Sequence, residues 1–267
     1  MSKIHSTAII EGNVTLGAEV EIGPYVVIRG NVSIGDGTRI ETGTCIYGNV
    51  KIGNQNRIGP YSVIGSDPQD LKYEGESGFI EIGNENWIRE FVTIHKPTSK
   101  ESTTRIGNKC LLMVGAHVAH DVTLGNEVIL VNNCQLGGFS VVEDGAFVSA
   151  LIGVHQHTRI GKFAMVGALS KITQDIPPFT MAVGIPAEVV GINSVGLRRR
   201  NFSPEQRDRI KEAYKIIYKS SYTIRESAQR IVEIFPDDQN IKYISNFILS
   251  SKRGIVKGLR TEEKAEI

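Results

Sequence analysis

The stretch that decides the fold is residues 16–40, LGAEVEIGPYVVIRGNVSIGDGTRI, in which an aliphatic residue stands at every sixth position. The repeat is carried here by Leu16, Ile22, Ile28, Ile34 and Ile40. A period of six fits neither an α-helix, which repeats about every 3.6 residues, nor a flat strand, which repeats about every two. It fits a parallel β-helix whose coils have three short faces and about 18 residues each.

The same repeat extends over most of the chain. The aliphatic series runs without interruption over residues 4–64, 82–94 and 106–172. A second residue, usually small, follows each aliphatic one by four positions, and Cys110 and Cys134 are two of these. Because both series would face the interior of the coil, we expect these two cysteines to be core residues and not reactive thiols.

Glycine often stands directly after the aliphatic residue of the repeat, as at Gly17, Gly23 and Gly35. Glycine tolerates a positive φ angle at little cost. The pattern therefore predicts that the chain turns its corners at these glycines.

Two polar segments interrupt the repeat, at residues 65–81 and 95–105. Both contain proline together with glycine or serine, which favours loops over regular strands. Loops that leave a solenoid commonly build its binding face. We therefore expect both segments to lie close to a functional site.

The pattern changes after residue 172. Residues 174–196 have no repeat and predict an extended connector. Ser203, Pro204 and Glu205 then predict the start of a helix, and residues 223–235 and 240–252 predict two more. The predicted protein is mainly β, with a parallel β-helix over residues 1–190 and a C-terminal α-helical domain over residues 191–267 that caps the solenoid.

Composition excludes several classes of protein. The chain has 30 basic and 29 acidic residues and a net charge of +1, which predicts neither a nucleic-acid partner nor an anionic membrane surface. The three cysteines are widely spaced, so neither a zinc knuckle nor a disulfide framework is indicated. The N-terminus lacks the apolar run of a signal peptide, and we expect a cytoplasmic protein without membrane insertion.

The candidate chemistry lies in residues 114–125, VGAHVAHDVTLG, which contain His117, His120 and Asp121. In coils of about 18 residues, His120 stacks beneath Gly138 and faces outward. It could act as a general base that Asp121 orients, and the Gly138 N–H could stabilise an oxyanion. A zinc site completed by His95 or His155 and plain surface histidines are the alternative interpretations.

Several motifs together resemble the UDP-N-acetylglucosamine acyltransferase family of lipid A biosynthesis. They are QDLKY at 69–73, AHVAHD at 116–121, GVHQ at 153–156 and GINSVGLRRRNFS at 191–203. The resemblance implies a homotrimer of left-handed parallel β-helices with active sites between subunits. It implies transfer of an R-3-hydroxyacyl group from acyl carrier protein to the 3-position of UDP-N-acetylglucosamine, without a metal or a bound cofactor.

The resemblance also implies roles for individual residues. His120 matches the general base, Asp121 its orienting partner and Gly138 the oxyanion donor. Ala168 matches the position that limits the depth of the acyl chain. The residues that match substrate contacts are Asp70, Lys72, His95, His117, His155, Gln156, Asn193, Arg199 and Arg200.

Four other functions remain open from the sequence. The acceptor could be the 3-amino analogue of the UDP-sugar, or the donor could be a coenzyme A thioester. A trimeric zinc hydratase of the same solenoid type is a third alternative. A UDP-sugar-binding trimer without catalysis is the fourth, because Phe139 stands where the family usually has a histidine.

Overall fold

A computed structural model describes residues 2–258, and nearly all of its strand pairs are parallel. The strands β1 to β25 are Lys3–Ile4, Ile9–Leu16, Glu21–Ile22, Val27–Ile34, Arg39–Ile40, Cys45–Ile52, Arg57–Ile58, Val63–Ser66, Phe79–Ile82, Trp87–Ile88, Thr93–His95, Thr103–Ile106, Leu111–Leu112, His117–Val118, Thr123–Leu124, Ile129–Leu130, Gln135–Leu136, Val141–Val142, Phe147–Val148, Gly153–Val154, Arg159–Ile160, Met165–Val166, Lys171–Ile172, Thr180–Val183 and Glu188–Ile192. The helices α1 to α4 are Ser194–Arg199, Pro204–Lys219, Ile224–Ile234 and Gln239–Ser250.

The register of the strands confirms the predicted parallel β-helix. Lys3 pairs with Glu21, and Glu21 with Arg39, so stacked residues are 18 positions apart. The spacing grows to 30 between Arg57 and Trp87 and to 24 between Trp87 and Leu111. Both extensions arise from the loops 67–78 and 96–102, which are shorter than the predicted segments because the neighbouring residues continue the strands.

The core of the coil is a stack of the aliphatic residues that define the repeat. Ile28, Ile46 and Ile64 are completely buried. Cys110 and Cys134 are buried as well, and burial raises the pKa of the Cys110 thiol to about 11 and that of the Cys134 thiol to about 12. The prediction that both are core residues is confirmed, and the raised pKa disfavours the reactive thiolate form.

The prediction that the glycines after the aliphatic residues make the corners is wrong. The positive φ angle occurs two residues later, as at Glu19 (55°) and Tyr25 (56°), whereas Gly17 has no positive φ. Position 17 requires a glycine for a different reason. A Cβ at this position would lie 3.0 Å from the carbonyl carbon of Gly35 and 2.8 Å from the Asp36 nitrogen on the next coil. Close stacking of consecutive coils, and not a corner, requires glycine here.

The C-terminal helices begin where the sequence predicts. Ser203 caps α2 and forms a capping box with Gln206, and Thr223 does the same for α3 with Glu226. Asp238 caps α4 through its side chain. These caps satisfy N–H groups that would otherwise be unpaired at the helix ends.

Residues 174–196 are more ordered than the extended connector predicted from the sequence. β24 continues the coil by pairing in parallel with β22, and it then pairs with β25 in antiparallel orientation. The short helix α1 follows, with Asn193 as its N-cap. Nothing in the repeat indicates this hairpin, because both strands lie beyond the last aliphatic position of the series.

A second hydrophobic core lies among the helices. It includes Leu197, Ile210 and Ile244, together with Phe179 from the end of the coil. The predicted boundary between residues 190 and 191 falls within β25 and remains a prediction. Residues 259–267 of the predicted helical domain lie outside the described residues. Between residues 2 and 258, no helix combines the length and hydropathy that crossing a bilayer requires.

Candidate active site

An open groove of about 530 Å³ runs along the outer surface of four stacked strands, β14, β17, β20 and β23. His117, Gln135, Gly153 and Lys171 contribute one lining residue from each of these strands. Gln69 reaches the groove from the loop 67–78. The groove is therefore built from consecutive coils and closed on one side by a segment that interrupts the repeat.

His120 and Asp121 form a hydrogen-bonded pair at the groove. The Nδ1 of His120 lies 2.9 Å from Oδ2 of Asp121, and both side chains are almost completely buried. Because a carboxylate oxygen only accepts, Nδ1 carries a proton, and in the neutral form of the ring Nε2 is the nitrogen that keeps its lone pair. The pair thus orients the imidazole so that Nε2 is the nitrogen that can accept a proton.

Gly138 lies against the His120 ring, as the spacing of 18 residues predicts. A Cβ at Gly138 would be 2.5 Å from Nε2 and 2.9 Å from Nδ1 of that ring. The carbonyl of Gly138 accepts a hydrogen bond from the His157 N–H. Within residues 2–258 no group accepts a hydrogen bond from the Gly138 N–H, which is therefore free to donate to a bound ligand.

His95 and His117 lie behind the pair. Their rings contact each other edge to face, with centroids 4.9 Å apart, and Nδ1 of His117 lies 2.7 Å from the Thr93 hydroxyl. Burial lowers the pKa of His117, and together with the smaller effects of the neighbouring His95 and His120 it brings this pKa to about 4. Burial also lowers the pKa of His95. Both rings are therefore neutral near pH 7, and no positive charge accumulates beside His120.

The low pKa of His117 predicts a loss of stability in mild acid. Between its reference pKa of 6.5 and about 4, the unfolded chain binds a proton at His117 that the folded protein does not. The free energy of unfolding therefore decreases as the pH is lowered from 6.5 to about 4, by at most about 1.4 kcal/mol per pH unit for one proton and less where solvent screens the ring. We expect His117→Asn to reduce this slope, measured by urea unfolding at several pH values from 7 to 4. Parallel curves for the two proteins would contradict the assignment.

Phe139 and His157 occupy the corner positions above Asp121. Phe139 contacts the His120 ring edge to face, with centroids 5.2 Å apart, and stacks on His157 with centroids 4.7 Å apart. Both have a positive φ angle like Asp121, because they are corner residues of successive coils. The aromatic column covers one side of the imidazole.

The structure brings together some of the predicted site residues but not all of them. His155 and Gln156 line the groove with His117, His120 and Gly138. His95 is buried behind His117. The remaining predicted residues, Asp70, Lys72, Ala168, Asn193, Arg199 and Arg200, are not part of the groove lining in the single chain.

Four of those residues have contacts of their own within the described chain. Asp70 accepts a hydrogen bond from the Lys72 backbone N–H. The Asn193 side chain donates to the Phe163 carbonyl, 2.9 Å away. Arg200 forms an ion pair with Glu127 at 2.7 Å and lies over the Phe163 ring. Arg199 is exposed on α1, and Ala168 is exposed on the turn after β22.

Sequence reasoning missed three residues of the site. Thr98 donates two hydrogen bonds to Asp121, and the Thr104 hydroxyl accepts one from the Asp121 N–H. Gln69 completes the wall of the groove. Thr98 and Gln69 belong to the loops, for which the six-residue period gives no position. Thr104 also falls in the predicted interruption at residues 95–105, although the structure places it on β12.

A zinc site would need at least three protein ligands that converge on one point. In the part of the chain that the structure describes, no three histidine, cysteine, aspartate or glutamate residues converge as metal ligands. His117 and His120 are near each other, but the nearby His95 ring is perpendicular to His117 and packed against it.

Comparison with known families agrees with this architecture. The family described as "Udp N-acetylglucosamine O-acyltransferase; Domain 2" matches residues 175–256. The family described as "Bacterial transferase hexapeptide (six repeats)" matches residues 31–66 and 103–138.

Curated relatives match nearly the whole chain. The acyl-(acyl-carrier-protein)–UDP-N-acetylglucosamine O-acyltransferase of Janthinobacterium sp. (strain Marseille) is 48% identical over 262 residues, which cover 96% of this chain and 100% of that protein. The enzyme of the same name from Paraburkholderia phymatum is 45% identical with the same coverage.

Solved structures also superpose on nearly the whole chain. The UDP-N-acetylglucosamine acyltransferase of Bacteroides fragilis has a TM-score of 0.92 at 41% identity, covering 95% of this chain and 100% of that one. The Arabidopsis enzyme has a TM-score of 0.84 at 32% identity, with the same coverage of both chains. From its sequence, its coil and its groove, the chain belongs to the UDP-N-acetylglucosamine O-acyltransferase family.

Proposed function

We propose that this protein is an enzyme that transfers an R-3-hydroxyacyl group from the thioester of acyl carrier protein to the 3-position of UDP-N-acetylglucosamine. The identity of 48% with an enzyme of this name supports the substrates. The observation that carries the chemistry is the His120 ring, paired with Asp121 and packed against Gly138 at the groove.

The first half of the proposed reaction uses the free nitrogen of His120. The 3-hydroxyl of the sugar attacks the thioester carbonyl carbon, and Nε2 of His120 takes the hydroxyl proton. Asp121 then faces an imidazolium through its 2.9 Å hydrogen bond and stabilises the new charge. The carbonyl oxygen becomes an oxyanion, to which the Gly138 N–H donates a hydrogen bond.

The second half returns the proton. The tetrahedral intermediate collapses, the carbon–sulfur bond breaks, and the leaving thiolate receives the proton from Nε2 of His120. His120 is neutral again, and the acyl group is now an ester of the sugar 3-hydroxyl. The same steps with a 3-amino acceptor would give an amide, since the groove offers the same base and the same N–H donor.

We further propose that the protein works as a homotrimer. Leu111, Ile129, Phe147 and Met165 stack in register on one outer face of the coil and are only half-buried in the single chain. A second copy would cover this apolar face, which supports association.

In such a trimer, a neighbouring subunit would complete the groove. We propose that Asp70, Lys72, Asn193, Arg199 and Arg200 contact the sugar, the nucleotide or the carrier arm there, and that Ala168 limits the acyl chain. Their positions outside the groove of the single chain are compatible with this arrangement.

A turnover assay tests the proposed function. Purified protein is incubated with UDP-N-acetylglucosamine or its 3-amino analogue, and with an R-3-hydroxyacyl group on either acyl carrier protein or coenzyme A. We expect acylated UDP-sugar to form with the carrier-bound donor. Turnover only with the coenzyme A donor, or tight UDP-sugar binding without turnover on any donor, would contradict the proposal. The ratio of the turnover rates with the two acceptors shows whether the enzyme forms mainly the ester or the amide.

Asp121→Asn should lower kcat by roughly 10²-fold or more, because an amide no longer holds the imidazole in the required tautomer or stabilises its charged form. The Michaelis constants should change little, since Asp121 is almost completely buried and lies behind His120. Steady-state kinetics measure both parameters. An unchanged kcat would remove Asp121 from the mechanism.

A further inference from the structure

We propose that Thr98 is a positioning residue that fixes the Asp121 carboxylate and, through it, the orientation of His120. The inference rests on the proposed function and extends it to the loop 96–102. Both the backbone N–H and the hydroxyl of Thr98 donate to Oδ2 of Asp121, at 3.0 and 2.9 Å. This is the same oxygen that lies 2.9 Å from Nδ1 of His120.

The Asp121 carboxylate depends on these donors because it has little contact with solvent. Its side chain is 5% exposed. Oδ2 faces three donors, of which two come from Thr98 and one from the imidazole that it orients. Charge-assisted hydrogen bonds of this kind are stronger and more directional than neutral ones. Without the Thr98 hydroxyl, the carboxylate can rotate away from His120.

The two residues that precede Thr98 are held in place. Pro97 is buried, and the Lys96 N–H donates to the Ser66 carbonyl. The Lys96 ammonium forms an ion pair with Asp67 at 2.7 Å. These contacts anchor the start of the loop 96–102 to the loop 67–78.

The two loops also pack directly against each other. A Cβ at Gly78 would collide with Pro97 and with the Ser99 carbonyl oxygen. Gln69 of the same first loop lines the groove. Thr98 therefore connects the wall of the groove with the catalytic pair, across the point where the repeat is interrupted.

The corner conformation makes this support necessary. Asp121 has a φ of 60°, which an L-residue adopts only at a cost, and its N–H donates to the Thr104 hydroxyl at 2.9 Å. Thr104 thus fixes the backbone of Asp121, and Thr98 fixes its side chain. Because Thr104 still holds the backbone of Asp121, loss of the Thr98 hydroxyl should affect catalysis more than folding.

The test compares Thr98→Val, which keeps the shape and the backbone N–H, with Thr98→Ser, which keeps the hydroxyl. With UDP-N-acetylglucosamine and R-3-hydroxyacyl carrier protein, Thr98→Val should lower kcat roughly tenfold, the effect of one lost charge-assisted hydrogen bond. The Michaelis constants should stay within about twofold. Thr98→Ser should remain close to wild type. Ser102→Ala is the matched control, because Ser102 lies in the same loop and its hydroxyl bonds, among the described residues, only to the Ser99 hydroxyl.

A double mutant separates positioning from a general structural role. When Asp121 is already replaced by asparagine, Thr98→Val should cause little additional loss of kcat, because both changes act through the same pair. An equal loss in both backgrounds would overturn the proposal. So would wild-type kcat in Thr98→Val.

A second measurement does not depend on turnover. Nitrogen NMR of labelled histidine, with His120 assigned by its absence from His120→Ala, should show the Nδ1-protonated tautomer in wild type and a mixture in Thr98→Val. If wild-type protein fails to turn over these substrates, the proposed function fails, but the tautomer still decides the role of Thr98. An identical His120 signal in both proteins would contradict that role.

Discussion

Replacing His120 with alanine is expected to lower kcat by roughly 10³-fold or more while the coil remains folded. The variant removes the nitrogen that takes the acceptor proton in the proposed reaction, and general-base catalysis contributes about 10²–10⁴-fold. Loss of the base also removes the proton donor for the leaving thiolate. The residual rate would come from binding and from the Gly138 N–H.

The fold should survive this change, because His120 faces the groove and not the aliphatic core of the coil. Circular dichroism and the thermal midpoint check this point. His5→Ala is the control for replacing a histidine, since His5 is exposed and its side chain forms hydrogen bonds, within residues 2–258, only with Thr7. A His120→Ala protein with wild-type kcat would remove His120 from the mechanism.

Gly138→Ala should have the second largest effect, a loss of kcat of about 10²-fold. The new Cβ would lie 2.5 Å from Nε2 of His120, closer than side chains approach each other, so the ring must move. A displacement of about 1 Å in a reacting group is enough for an effect of this size. The methyl group would also crowd the N–H that is proposed to stabilise the oxyanion.

Two comparisons make this prediction specific. Gly191→Ala is the matched control, because a Cβ there meets no atom within 4 Å and Gly191 lies away from the groove. In a His120→Ala background, Gly138→Ala should cost less than in wild type, since the ring with which it collides is gone. An undiminished kcat in the single Gly138→Ala variant would contradict the assigned geometry.

The candidate site could be predicted in part because its central residues obey the repeat. No loop lies between Thr103 and Ile172, so the spacing of 18 residues places Gly138 on His120 and Gln135 on His117 directly from the sequence. The corners were predicted at the wrong positions, because a glycine can be required by close packing as well as by a positive φ angle. At Gly17 it permits close stacking of coils, whereas the true corners are often occupied by residues such as Glu19.

The sequence by itself determined the coil, its inward residues and the stacking of His120 on Gly138. A strict six-residue period allows one register that buries an aliphatic residue on every face of the coil. The same register fixes which residues point outward and which of them stack on one another. Only the tertiary structure decided which loop atoms reach Asp121, how Gln69 closes the groove, and that β24 and β25 form a hairpin. These contacts join segments outside the period, and for them the distance along the chain says nothing about the distance in space.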